Sequence, residues 1–356
     1  MQRSSNIGGQ AVMEGIMMRA GEKYSIGVRR PDGEIELTVR PYKSVFPGNG
    51  MTKVPILRGV ISFIDSMVVG ISSLMWSAEI AVEEDDECSR EEASCDSANG
   101  KKNTSDTNTA AANEKTGRNE DAETEQAGKA EDLKEKNVAK EKKGNGAFDI
   151  AMAGTVVFAI AFSIGLFVLL PYFLAGLLRA AGVHEIWVSL AEALLRVGIF
   201  LLYMFLISRM KDIQRVFAYH GAEHKCINCV ENGWELTVEN VMKASRRHKR
   251  CGTSFLLIVI VISVICFFFV GLLGIRTPLL RLLTRILLIP IIAGLAYEFL
   301  RLAGSSDHPV VCTLAKPGLA LQGLVTREPD EKMVEVAIAA VNEVFDWRKW
   351  QMEGET

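Results

Sequence analysis

Between Trp76 and Phe148 the 356-residue sequence has no aromatic residue, and Glu, Lys, Asp, Ala, Asn and Thr dominate the stretch. A segment of that composition cannot bury enough apolar surface to offset chain entropy, which excludes a packed core there. Residues 83–146 therefore read as a disordered, charged linker. The local alternative is a solvated helix over 127–143, where Glu and Lys favour helix. Charge is missing elsewhere: residues 150–178 and 253–275 carry none. Runs longer than the roughly 20 residues that span a bilayer exclude a wholly water-soluble chain. Catalytic signatures are also scarce, with no HExxH, nucleophile elbow or Ser-His-Asp pattern. The glycine-rich stretch 8–15 lacks the Lys-Ser/Thr ending of a phosphate loop, which argues against nucleotide binding. Residues 1–19 lack the compact apolar core of a secretory signal. The net charge of −3 says little, because the acidic linker offsets basic regions elsewhere.

What is there is membrane-spanning. Residues 150–178, 186–208, 253–275 and 279–302 read as four transmembrane helices, the second carrying Glu192 and Arg196 at i and i+4 and the last holding Pro290 and Glu298. The connection between the second and third spans is rich in Lys and Arg, whereas the connections after the first and third carry few, such as Arg179 and Arg276. By the positive-inside rule the basic segment faces the cytoplasm, with both termini on that side of the inner membrane. The thiols at 226, 229 and 251 then face a reducing compartment, which favours free thiols or metal ligands over disulfides. The expected fold is a mainly α-helical polytopic membrane protein with four transmembrane helices. A small N-terminal β unit and a membrane-apposed cytoplasmic domain complete it.

Its domains run as residues 1–50 (β unit), 51–82 (amphipathic interfacial helix), 83–146 (linker) and 147–208 (spans one and two). Residues 209–251 follow as a cytoplasmic segment, 252–303 as spans three and four, and 304–356 as a cytoplasmic tail with a helix. Strand-like segments at 24–30 and 34–40 flank the turn Pro31-Asp32-Gly33. Over 54–76 the apolar residues recur at helical spacing, the pattern of an interfacial or bundle-packed helix rather than a lone span. A helix after 211 should stop at Asn232-Gly233, and another should occupy 332–345.

The chemistry centres on His220-Gly-Ala-Glu223-His224, an H-x-x-E-H order. Residues four apart share a helix face, so His220 and His224 can reach one ion, with Glu223 as base or ligand. A third ligand comes from Glu298, the first choice as an ionisable residue within a span, or from His248 or Glu14. A second arrangement competes for the ion: Cys226-x-x-Cys229 followed by His248-x-x-Cys251 has the spacing of a structural zinc site. Without an ion, the histidines form a cationic helix surface that binds headgroups or pairs with Glu298. His184 and His308 read as ordinary surface histidines. The cluster 246–250 suits span topology and anionic lipid headgroups. It lacks the interleaved aromatics of a nucleic-acid surface, so no nucleic-acid partner is expected.

Read together, Gly8-Gly-Gln-Ala-Val-Met-Glu-Gly15, Ala218-Tyr-His-Gly-Ala-Glu-His-Lys225, Arg250-Cys-Gly-Thr-Ser-Phe255 and Gln322-Gly-Leu-Val-Thr-Arg-Glu-Pro-Asp330 resemble the YqhQ-like family of bacterial multi-pass membrane proteins. The resemblance spans nearly the whole chain except the acidic linker. What it implies is a domain of unknown function labelled a predicted metal-dependent enzyme. Cys226 and Cys229 lie outside the family motif, whereas Cys251 lies within it. Relatives read His-Pro-Arg-Cys where this chain has Lys249 after His248.

The functional expectation is a metal-dependent membrane enzyme with a divalent cofactor, zinc by donor type. It would be hydrolytic and act at the cytoplasmic face on a lipid-linked or membrane-protein substrate. The alternatives are a membrane scaffold or assembly factor with a structural metal, and an ion or small-solute transporter.

Overall fold

The N-terminal residues alternate in pattern, and the fold uses that alternation on both faces of one sheet. Strands β1 (Gly8–Val12), β2 (Gly15–Ala20), β3 (Lys23–Arg29) and β4 (Ile35–Pro41) form an antiparallel meander in chain order. Successive side chains point to opposite faces. Ile16 and Met18 thus enter one core, while Val12, Met17, Tyr24, Ile26 and Val28 enter another. Two strands and the 31–33 turn are where the sequence placed them; the glycine-rich stretch ahead of them supplies β1 and the start of β2.

The computed structural model describes residues 4–46, 54–98, 146–248, 250–272, 275, 277–306 and 308–353. The interior of the charged linker and its 127–143 helix lie outside the described residues, as does Lys249. Contact density divides the chain into residues 1–90 with 170–356, and residues 91–169.

Helix α1 (Leu57–Ala98) covers one sheet face through Val69, Trp76 and Ile80. Its buried Asp65 accepts hydrogen bonds from Tyr42 Oη, Ser44 Oγ and the Val45 amide at 2.7–2.8 Å. Its first turns lie elsewhere: Arg58 pairs with Glu298, a Cβ on Gly59 would sit 2.9 Å from Gly294 O, and Phe63 packs on Phe255 at 5.5 Å. Helices α2 (Gly146–Ile164) and α3 (Leu170–Ala180) are joined by a π-helical turn at Gly165–Leu169. Then come α4 (Glu185–Ile207), α5 (Lys211–Glu231) and the short α6 (Val238–Lys243). Five more follow: α7 (Gly252–Leu272), α8 (Pro278–Ser305), α9 (Pro309–Val325), α10 (Glu331–Val344) and α11 (Trp347–Met352).

The protein is a multi-pass membrane protein, mainly helical. Among the described residues five helices are long and apolar enough to cross a bilayer: Leu57–Ala81, Gly154–Ala180, Glu185–Ile207, Gly252–Gly271 and Leu279–Gly304. The sequence reading counts four, because it assigns 54–76 to the interface on its amphipathic stripe. Val69, Trp76 and Ile80 pack α1 on the sheet, whereas Met67, Val68 and Leu74 of the stripe are exposed, and the helix meets the length and hydropathy of a span.

Helix α5 stops where Asn232 caps it and Gly233 takes a φ of 74°. Thr237 caps α6, its hydroxyl accepting from the Asn240 amide, and Asp330 caps α10 by accepting from Met333. Helix α9, 17 residues with Pro317 inside it, is an element the sequence reading does not contain. The second core joins the Ile16 and Met18 face of the sheet to α5, α6 and α10.

Candidate metal centre

The H-x-x-E-H stretch lies mid-way along α5, so His220 and His224 project from one face with ring centroids 4.4 Å apart. One ring nitrogen of each and Cys251 Sγ all lie within 4.8 Å of one another. Backbone carbonyls select which nitrogens those are. His220 Nδ1 lies 2.9 Å from Val325 O, and His224 Nδ1 lies 2.7 Å from Arg246 O. A carbonyl only accepts, so each Nδ1 carries a proton, and the tautomer this selects presents the Nε2 lone pair. His220 Nε2 sits 3.2 Å from Cys251 Sγ. His224 Nε2 is buried with no hydrogen-bond partner among the described residues. Burying such a group unpaired costs roughly 1–3 kcal/mol, which a cation on the lone pair would offset.

Gly221 makes this arrangement reachable. The segment leaving α9 crosses α5 there, and Arg327 N donates to Phe217 O at 2.8 Å. Any Cβ on Gly221 would collide with Arg327 O. That close approach is what carries Val325 O to His220. Gln322, fully buried, ties the other side: its Oε1 accepts from His248 N at 3.0 Å, and its Nε2 donates to His248 O at 2.8 Å and Ser254 Oγ at 3.0 Å. The loop bearing Cys251 is thereby fixed to α9. Thr253 N also donates to Cys251 Sγ at 3.4 Å.

Glu223 is buried on the side of α5 facing β1, where a Cβ on Gly9 would lie 2.8 Å from Glu223 Cγ. Burial pushes its carboxyl above the ordinary carboxylate range, although His220 and the Gly9 amide oppose the shift. Its Oε2 has no hydrogen-bond partner among the described residues. Glu223 and His220 line a cavity of about 610 Å³, with Gly9, Ser62, Thr253 and Tyr297 among its other walls.

The remaining candidates are distributed differently. Glu298 is held by Arg58, whose Nε donates to Oε1 at 2.6 Å and Nη2 to Oε2 at 2.5 Å. Glu14 pairs with Arg215. His248 stacks 5.8 Å from His224, but its Nε2 lies 3.4 Å from Glu231 Oε2 and burial pushes its pKa down. Burial alone would raise Glu231; hydrogen bonds from His248, Ser5 and Arg250 instead hold it at about 2. Cys226 is wholly buried in the core with its thiol pKa pushed well up, and burial takes Cys229 to about 11. Cys229 Sγ donates to Glu235 O at 3.5 Å. The His/Cys cluster among the described residues takes Cys251 and leaves out Cys226 and Cys229. The two carbonyls and Gln322 carry no metal-site signal in a sequence; only the tail motif Gln322–Asp330 marks their neighbourhood.

A family model described as a protein of unknown function, DUF1385, matches residues 54–347. The chain is 35% identical over 344 residues to the uncharacterized protein YqhQ of Bacillus subtilis (strain 168), covering 95% of this chain and 92% of that protein. No solved structure matches it significantly.

Proposed function

Since the chain belongs to the DUF1385 family, whose description assigns no reaction, we propose from its own geometry that it is a metal-dependent membrane enzyme. In this reading it hydrolyses a lipid-linked or membrane-protein substrate at the cytoplasmic face of the inner membrane. The observation that carries it is the buried His224 Nε2, without a hydrogen-bond partner among the described residues and in one cluster with a ring nitrogen of His220 and Cys251 Sγ, all within 4.8 Å of one another.

His220, His224 and Cys251 would hold the ion. Their mixed nitrogen and sulfur set suits zinc, and three protein donors leave a position open, as catalytic sites require. Bound there, the ion would supply Lewis acidity toward a carbonyl or phosphoryl oxygen. The rest falls to the chain. Val325 O and Arg246 O orient the rings. Glu223, next to His220 in the cavity wall, takes the proton from an attacking water and returns it to the leaving group. Phe63, Phe255 and Leu300 supply apolar walls to the same cavity.

Parity of crossings supports four spans. The sheet, α5 and α10 share one core, so they occupy one side of the membrane. Crossings by Gly154–Ala180 and α4 return the chain from the sheet's side to α5, and α7 and α8 return it to α10. A crossing by α1 or by α9 would make either interval odd. Helix α1 is therefore only part-inserted, its first turns against α8 and its later turns on the sheet. Lys and Arg between α4 and α7 assign the shared side to the cytoplasm.

The transporter reading has less support, because among the described residues Glu192 is paired with Arg196 and Arg285, and Glu298 with Arg58, so these intramembrane carboxylates are engaged. A scaffold with a structural metal is separated by Glu223→Gln. Lipid and membrane-protein profiles of a deletion strain are compared after complementation with wild type or variant. The enzyme reading expects Glu223→Gln to keep its metal and fail to restore the profile. Restoration by the variant would sink the enzyme and leave the scaffold.

A further inference from the structure

A second cavity, of about 270 Å³, lies between α7, α8 and α9 and is walled almost wholly by hydrocarbon. Leu257, Ile258, Phe299, Leu314 and Leu319 line it, and Ser254 is its polar residue. It opens sideways where Val261, Ile265 and Leu314 are half exposed, on the faces of α7 and α9. Two features set it apart from an ordinary crevice between apolar helices. Its wall is shared with the cavity that carries His220 and Glu223: Leu300 lines both, and along one turn of α7 Ser254 and Leu257 face the slot while Phe255 and Leu256 face that cavity. Its end is also closed by a built contact. Gly318 packs on Ser254, where a Cβ would come within 3.0 Å, and Gln322 Nε2 donates to Ser254 Oγ at 3.0 Å. The same Gln322 fixes the loop that carries Cys251.

We propose that this slot holds one hydrocarbon chain of a membrane amphiphile whose polar head enters the cavity beside His220 and Glu223. An apolar slot adjoining a cavity whose walls carry His220, Glu223, Ser62 and Thr253 matches a molecule with a hydrocarbon chain and a polar head. The chain is already in hydrocarbon when it leaves the bilayer, so the slot contributes packing contacts rather than transfer from water, and it anchors the amphiphile at a point remote from the reacting head. Helix α9 becomes the outer wall of the slot; Pro317 removes a backbone donor at its lining and Gly318 brings it against α7. The substrate class narrows from lipid-linked or membrane-protein to lipid, and that step rests on the enzyme reading above. Chain binding itself does not.

The test uses the full chain in phosphatidylglycerol vesicles containing a trace of the same lipid with a diazirine at one chain end or in the head. After photolysis, labelled peptides are mapped by mass spectrometry and metal content is measured on the same samples. The chain-end probe should label Leu257, Ile258 and Leu319 several-fold above the exposed Leu201 and Leu287. Ala315→Trp, which fills the slot, should bring that labelling down to the level of those exposed leucines with metal unchanged; Ala303→Phe is the second variant, should the first not fold. The head probe should label Ser62, Thr253 or Tyr297. Equal labelling of slot and exposed residues, labelling unaltered by both filled variants, or head labelling away from the cavity would overturn the proposal. Loss of metal from the wild type with slot labelling intact would refute the metalloenzyme and leave the lipid site standing.

Discussion

Glu231 shows most plainly how single residues support the site. It receives Ser5, His248 and Arg250 together, and is held at about 2 against an ordinary value of 4.5. A depressed carboxylate contributes stability that is full above its unfolded pKa and is lost as pH falls toward the folded one. The window is therefore pH 4.5 down to 2. Thermal unfolding in detergent should show wild type losing on the order of 3 kcal/mol more than Glu231→Gln across that window. An identical acid limb in both proteins would mean Glu231 carries no such linkage. The histidine pair is legible at this scale, because i, i+4 spacing on a helix needs no knowledge of the fold. The third donor is not. The sequence reading puts Glu298 first as an ionisable residue in a span, yet Arg58, distant along the chain, engages it. Cys251 reaches His220 through a loop whose path depends on Gln322.

At the scale of elements, the close crossing of the 325–329 segment over α5 decides whether the histidines are oriented. Gly221→Ala should push that segment away, with an overpacking cost of about 1–3 kcal/mol. It should also release His220 Nδ1 from Val325 O. Metal affinity should then fall while helix content by circular dichroism stays unchanged; unaltered affinity would remove the strap from the account. The end of α5 was readable because its cap is local, at Asn232-Gly233. Strands β3 and β4 were readable from their alternation. Strand β1 was not, since glycines at 8 and 9 weaken strand propensity, and Gly9 is required by the approach of Glu223. Helix α9 escaped because a largely apolar stretch of 17 residues broken by Pro317 resembles neither a full span nor an amphipathic helix.

For the whole molecule, the shared core of sheet, α5 and α10 ties membrane topology to the site. Single cysteines in a cysteine-free background at Asn6, Asn232 and Lys349 should all be labelled by an impermeant thiol reagent only from the cytoplasmic side. Ala181→Cys, in the α3–α4 connection, should be labelled only from the other. Asn6 and Lys349 on opposite sides would break the parity argument and the site with it.

The most direct test of the account is the metal content of purified, chelator-free protein by elemental mass spectrometry. Wild type should hold near-stoichiometric metal. His224→Ala and Cys251→Ser should lose it, and Cys226→Ser/Cys229→Ser should keep it. Wild type that holds none and binds none on titration, or retention in the His224 and Cys251 variants, would contradict the metal centre.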